Sequence, residues 1–270
     1  MKARMSKILS CVLAMAMLCA VAASASYNEL SSSTASHSEG GYSFNYWSTL
    51  YYGSDSYASV WVERAGSYTP YPANSMAACA SLYNSSGNAV KTSGEVSNTS
   101  ADYFIFAYTS TMGGTGYHAG GYVKLATGSG LAQFTCPQTG TRSSSNSSRA
   151  ALLSSLTATL DRAGNYPTNS NGETYGSGLL VEVVGDMPAL ISAENADGVC
   201  GYIRESDLTP ATPAEAAAFM ETLVRTIPLY DINDNVIGTY ELDATITSYN
   251  SQFAGMSIDE VRATVANLTA

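Results

Sequence analysis

Between Tyr42 and Pro137 the apolar residues recur with period two. Tyr42, Phe44 and Tyr46 alternate with Ser43 and Asn45, and runs of the same kind follow in YASVWVER, AACASLYN, DYFIFAYTS, GGYVKLA and GLAQFTC. Alternation of this kind places one set of side chains on each face of a pleated strand and does not fit a helix. The stretches between the runs, SSGN at 85–88, MGGTG at 112–116 and TGSG at 127–130, carry the glycine, serine and asparagine that close hairpins. About seven strands with no helical period predict an antiparallel β-sandwich over residues 42–137.

The period changes after TGTRSSSNSSR, residues 139–149, which has no apolar residue and is expected to be a linker, taken as 138–149. Leu152, Leu153, Leu156 and Leu160 then recur at helical spacing and Gly164 stands where a helix would stop, which predicts a helix over about 149–162. Beyond it LLVEVV, ALISAEN and GYIRESDL read as short strands. Thr212, Pro213 and Glu215 read as a capping box opening a helix whose apolar stripe is Ala216, Phe219, Met220, Leu223 and Val224. IPLYD and VIGTYEL read as a hairpin closed by INDN. Ser257 and Glu260 cap a final helix with the stripe Val261, Val265 and Leu268. The expected architecture is an all-β sandwich N-terminal domain followed by a smaller α+β domain at 150–270.

Lys2, Arg4 and Lys7 lead into the apolar run ILSCVLAMAMLCAVAA, which ends in Ala23-Ser24-Ala25. This is the pattern of a signal peptide over 1–25, and residues 26–41 are expected to be a disordered lead-in. No second apolar run of spanning length follows, so no membrane span is expected after cleavage, and a secreted, extracellular protein is. The leader holds three of the 12 basic residues and none of the 22 acidic ones, which leaves a mature net charge of −13. Residues 149–270 carry five basic and 16 acidic groups. Such a chain repels nucleic acid and anionic membrane, and neither is an expected partner.

The mature chain keeps Cys79, Cys136 and Cys200. An odd number in an exported protein leaves at least one thiol without an intrachain partner. Cys79 and Cys136 lie in strand-like segments that could be neighbours, and a Cys79–Cys136 disulfide is one expectation. Cys200 as a nucleophile would need a base, and the chain offers only His37 and His118, each far from it in sequence; a packed strand thiol is the expectation. No GxSxG elbow is present, and the histidines and cysteines show no zinc-ligand spacing. In DINDN, Asp231, Asn233 and Asn235 match the first oxygen positions of a calcium loop. Val236 and Leu242 occupy the glycine and glutamate positions of that loop, so the stretch reads as a hairpin turn. No catalytic residue, metal or cofactor is expected.

Most of the 19 tyrosines and both tryptophans fall within the sandwich. Cross-strand packing explains such rings, and an aromatic platform is the functional alternative, because flat rings stack on sugars or on another protein while keeping a polar edge. Trp47, Tyr51, Tyr52 and Trp61 are the candidate residues for that platform, split between two faces by strand alternation.

YPTNSNGETYGSG, GYIRESDL, TPAEAAAF and RTIPLYDINDNVIGTYEL, in that order over residues 165–242, resemble a segment of uncharacterised exported proteins of clostridia-like Firmicutes. The segment is also similar to extracellular tails of membrane-bound regulatory peptidases, and it implies no particular activity. GYIRESDL resembles the closing strand of bacterial SH3-like wall-binding domains. Together these readings predict a non-catalytic secreted protein acting at or near the bacterial cell surface, with cell-wall glycan or a surface protein as partner. The alternative is a secreted carbohydrate-active or wall-active hydrolase with an accessory domain.

Overall fold

Strand predominates over helix along the chain, as period two requires. The computed structural model describes residues 27–67, 69–140, 146–210, 212, 215, 218 and 224–247. Contacts set Glu29–Gln252 apart as one compact unit. The unit Glu29–Gln252 carries the sheets, their cores and the candidate site. The signal-peptide segment, most of the expected helix after Thr212 and the expected C-terminal helix lie outside the described residues.

The elements in chain order are β1 (Asn28–Ser31), β2 (Ala35–Glu39), β3 (Tyr42–Tyr52), β4 (Asp55–Arg64), β5 (Met76–Tyr83), β6 (Ala89–Thr92), β7 (Val96–Ser97), β8 (Phe104–Thr109), β9 (Met112–Gly113), β10 (His118–Thr127) and β11 (Gly130–Thr135). After these come α1 (Asn146–Thr157), β12 (Tyr175–Gly176), a 3-10 turn at Gly178–Leu180, α2 (Val181–Val184), β13 (Leu190–Glu194), β14 (Cys200–Arg204), α3 (Glu205–Leu208), β15 (Val224–Tyr230) and β16 (Val236–Thr247).

Antiparallel β3–β4–β8, with β2 on the outer edge of β3, faces antiparallel β5–β10–β11. Phe44, Leu50, Val60, Val62, Ile105, Leu82, Val123 and Leu125 fill the space between them. Gly121 lies inside β10, where a Cβ would stand 2.0 Å from the Cys79 carbonyl oxygen and where φ is +143°, so only glycine lets β5 and β10 close.

The second half of the chain adds strands to this arrangement. β13 pairs with β14, β14 with β15 and β15 with β16, and both β13 and β16 also pair with β6. The five strands form a closed ring in which one member comes from the first half of the chain. Ala89, Ile191, Ala193, Ile203, Leu229, Tyr240 and Leu242 belong to a second core, joined by Cys79, Tyr83 and Tyr122 from the back of the β5–β10 sheet. β16 continues past the ring to pair with β8.

Several local expectations differ from the structure. Residues 26–41 carry β1 and β2 from Asn28 on, because the free edge of β3 offers ladder partners such as Ser36↔Asn45 and His37↔Phe44. LLVEVV is helical, not extended. The Ser177 hydroxyl accepts the Leu179 N–H and starts the turn, and Gly185 at φ +102° stops α2. At the expected linker, Gln138 is buried and its side chain donates to Gly178 O and Leu179 O, while residues 141–145 lie outside the described residues. Glu215 N–H donates to Thr212 Oγ1 at 3.2 Å, as a helix cap does.

One turn recurs. In 84–88, 161–165, 169–173, 195–199 and 231–235 the first residue is Asn or Asp, and its Oδ1 accepts the N–H groups of the third and fifth residues. The fourth residue has positive φ and its N–H returns to the first carbonyl. Glycine holds that fourth place in four of these loops and Asp234, at φ +69°, in the other.

Candidate functional site

The expected aromatic platform does not form an open surface. Trp47, Tyr51 and Trp61 do share one face of β3–β4, the face turned away from the inter-sheet core, and Tyr57, Phe106 and Tyr108 extend it. Trp47 and Trp61 stack at 6.0 Å and Tyr51 and Tyr57 at 4.6 Å. Trp61 is 0% exposed and its Nε1 donates to Ser59 Oγ. Tyr52 projects to the opposite face and packs against the inter-sheet core. These rings are packing residues in this structure, as large flat side chains on a covered sheet face are expected to be.

The expected Cys79–Cys136 disulfide is absent. Cys79 lies opposite Tyr122 across the β5–β10 ladder, and Cys136 N–H donates to Gly121 O on the other side of β10. The two thiols therefore stand two strands apart, and alternation sends Cys79 into the second core and Cys136 into the first. Burial pushes the Cys79 thiol up to about 12 and raises that of Cys136 too, which favours the protonated thiol at both. Cys200 is exposed, with Glu194 and Asn88 as its neighbours, and so is not the packed thiol expected from its strand. His118 is buried against Thr139 O, and the His37 ring lies tilted against Phe134 with centroids 4.1 Å apart.

A different site emerges where the sequence motifs of residues 165–242 converge. On β14, Ile203 turns into the second core, so Tyr202 and Arg204 turn outward. On β15, Leu229 turns in and Tyr230 out, and the ladder sets Tyr202 opposite Tyr230. Tyr175 of β12 meets Tyr202 edge-on at 5.8 Å. All three tyrosines are half-buried.

Charged groups frame these rings. Arg204 Nη2 pairs with Asp234 Oδ1 at 2.7 Å and Nη1 lies 3.6 Å from Glu173 Oε1, while the guanidinium sits 4.9 Å from the Tyr230 ring centre. Tyr230 OH donates to Asp207 Oδ2 at 3.3 Å. The 169–173 and 231–235 loops clasp one another: Asn169 Nδ2 donates to Ile232 O and Asn171 Nδ2 to Asp234 Oδ2. Burial opposes the charge of Arg204, but hydrogen bonding and attraction from Asp234, with Glu173 beside it, outweigh this and strengthen its proton hold. Burial, and then the Asp207 carboxylate, raise Tyr230; burial and Tyr175 raise Tyr202. Tyr202 and Tyr230 therefore stay neutral hydrogen-bonding rings.

Asp231 serves the turn itself: both of its carboxylate oxygens accept from Asn235, Oδ1 also from Asn233, and these bonds lower its pKa. Among the described residues no group of three or more His, Cys, Asp or Glu could hold a metal ion, and no helix is long and apolar enough to cross a membrane. No known protein family, curated protein or solved structure matches the chain. Tyr175, Tyr202 and Tyr230 do not stand out in the sequence because they are scattered over some 55 residues. The signal that could have found them is that each lies within one of the motifs of residues 165–242, no more than two residues from an acidic or basic one.

Proposed function

We propose that this is a non-catalytic exported interaction protein acting at or near the bacterial cell surface, with a first-half sandwich as scaffold and the second-half strands presenting the binding face. The observation that carries this reading is the outward cluster of half-exposed Tyr175, Tyr202 and Tyr230 framed by Glu173, Arg204, Asp207 and Asp234. Flat rings beside fixed polar groups suit a glycan, whose ring faces are apolar and whose hydroxyls need both donors and acceptors. The same composition suits a protein partner with a polar rim.

The test is a panel of cell-wall preparations, soluble glycans and surface proteins, assayed for both binding and turnover. Tyr202→Ala and Tyr230→Ala are each expected to weaken the observed binding by roughly tenfold while shifting the thermal midpoint little. Binding that survives both changes removes this face from the proposal. Turnover lost on replacing one of Glu173, Asp207 or Asp234 would replace the non-catalytic reading with a hydrolase.

A further inference from the structure

We propose that Asn171 is a deamidation site whose conversion opens the clasp between the 169–173 and 231–235 loops. Asn171 is exposed at the tip of its loop and is followed by Gly172, which has φ +83° and free space where a side chain would stand. The chemistry needs only water. The Gly172 backbone nitrogen attacks Asn171 Cγ; that bond forms, the Cγ–Nδ2 bond breaks, and ammonia leaves carrying the proton given up by the nitrogen. Water then opens the cyclic imide at either carbonyl, leaving an aspartate or an isoaspartate linkage.

The five similar loops supply internal controls. The residue at the third position is Ser86, Ala163, Asn171, Asp197 or Asn233, so an amide followed by glycine occurs once among them. Asn233 is followed by Asp234, whose side chain obstructs the attack. Asn84, Asn169 and Asn195 each use Oδ1 to hold two backbone N–H groups and are followed by residues with side chains. Gly172 N–H donates to Asn169 O at 3.1 Å, so attack requires that bond to open, and the folded chain converts more slowly than the unfolded one.

The effect on the clasp comes from the contact at 2.9 Å between Asn171 Nδ2 and Asp234 Oδ2. Conversion replaces a donor with a carboxylate facing a carboxylate, close to Glu173, with Arg204 as the cation that must serve all three. The isoaspartate form also lengthens the backbone of a loop closed by fixed hydrogen bonds.

The full-length chain, aged in mildly alkaline buffer, is expected on peptide mapping to gain one dalton at Asn171 while Asn84, Asn169, Asn195 and Asn233 keep their amides. Retention of the Asn171 amide in folded protein, over a time many times longer than denatured protein needs to convert fully, would overturn the site. For the clasp, Asn171→Asp and Asn171→Ala are compared by thermal midpoint. Because the Asn171 amide helps to hold Asp234 ionised, the loss in the Ala variant should be constant above about pH 4 and shrink below it, and the Asp variant should fall further below the Ala variant between about pH 4 and about pH 7 as the new carboxylate ionises beside Asp234. Equal midpoints for the two variants across that range would overturn the repulsive opening.

Discussion

Asp161 holds its loop by accepting two backbone N–H groups at 2.8 and 2.9 Å, and Gly164 supplies φ +83°. Asp161→Ala is therefore expected to cost about 1 kcal/mol and Gly164→Ala about 1–2 kcal/mol in urea unfolding. A cost near zero for Gly164→Ala would mean that the loop relaxes out of the left-handed region. Asp102 stands differently. It is buried, and its Oδ1 accepts from Tyr103 and Phe104 N–H. Burial raises its carboxyl to about 6 from 3.8, with the Phe104 and Tyr103 bonds holding it back. A raised native pKa favours the protonated fold, so this stability is complete below the unfolded value and is lost as pH rises through about 6. Asp102→Asn keeps the acceptor without the charge. It is expected to raise stability at neutral pH by up to about 2 kcal/mol and to lose that advantage below about pH 4. Unfolding midpoints measured across pH check it, and a variant less stable at every pH would show that the carboxylate is needed charged.

Among the elements, β3, β4 and β10 were legible because alternation and turn residues agreed along each of them. α2 was not, because LLVEVV has the β-branched content of a strand, and the turn at Ser177 and the stop at Gly185 override it. β2 was hidden for the opposite reason: ASHSE has no apolar alternation, and its pairing comes from the free edge of β3. The outer rings of β3–β4–β8 give a direct test. Trp61 is fully enclosed, so Trp61→Ala is expected to lower stability by about 3–5 kcal/mol, seen as a large fall in the thermal midpoint. A midpoint close to wild type would return this face to solvent and to the role of a binding platform. At β10, Gly121→Ala is expected to prevent β5 and β10 from closing, read as loss of soluble folded protein.

For the molecule as a whole, the pairing of β6 with β13 and β16, and of β8 with β16, ties the two halves of the chain together. Division into independent domains predicts that a cut within residues 141–145 releases two folded pieces. The shared strands predict that the pieces co-elute after such a cut and separate only in denaturant, which size exclusion of nicked protein checks. The sequence by itself determined the strand-rich character, the hairpin turns and the acidic balance of the second half, because alternation, glycine placement and charge act over a few residues. Tertiary structure alone decided which rings are covered, that Cys79 and Cys136 face different cores, and that Tyr175, Tyr202 and Tyr230 meet beside Arg204. Each of these depends on which strand lies next to which across long stretches of chain, and strand pairing is set by packing and edge closure that no local window contains.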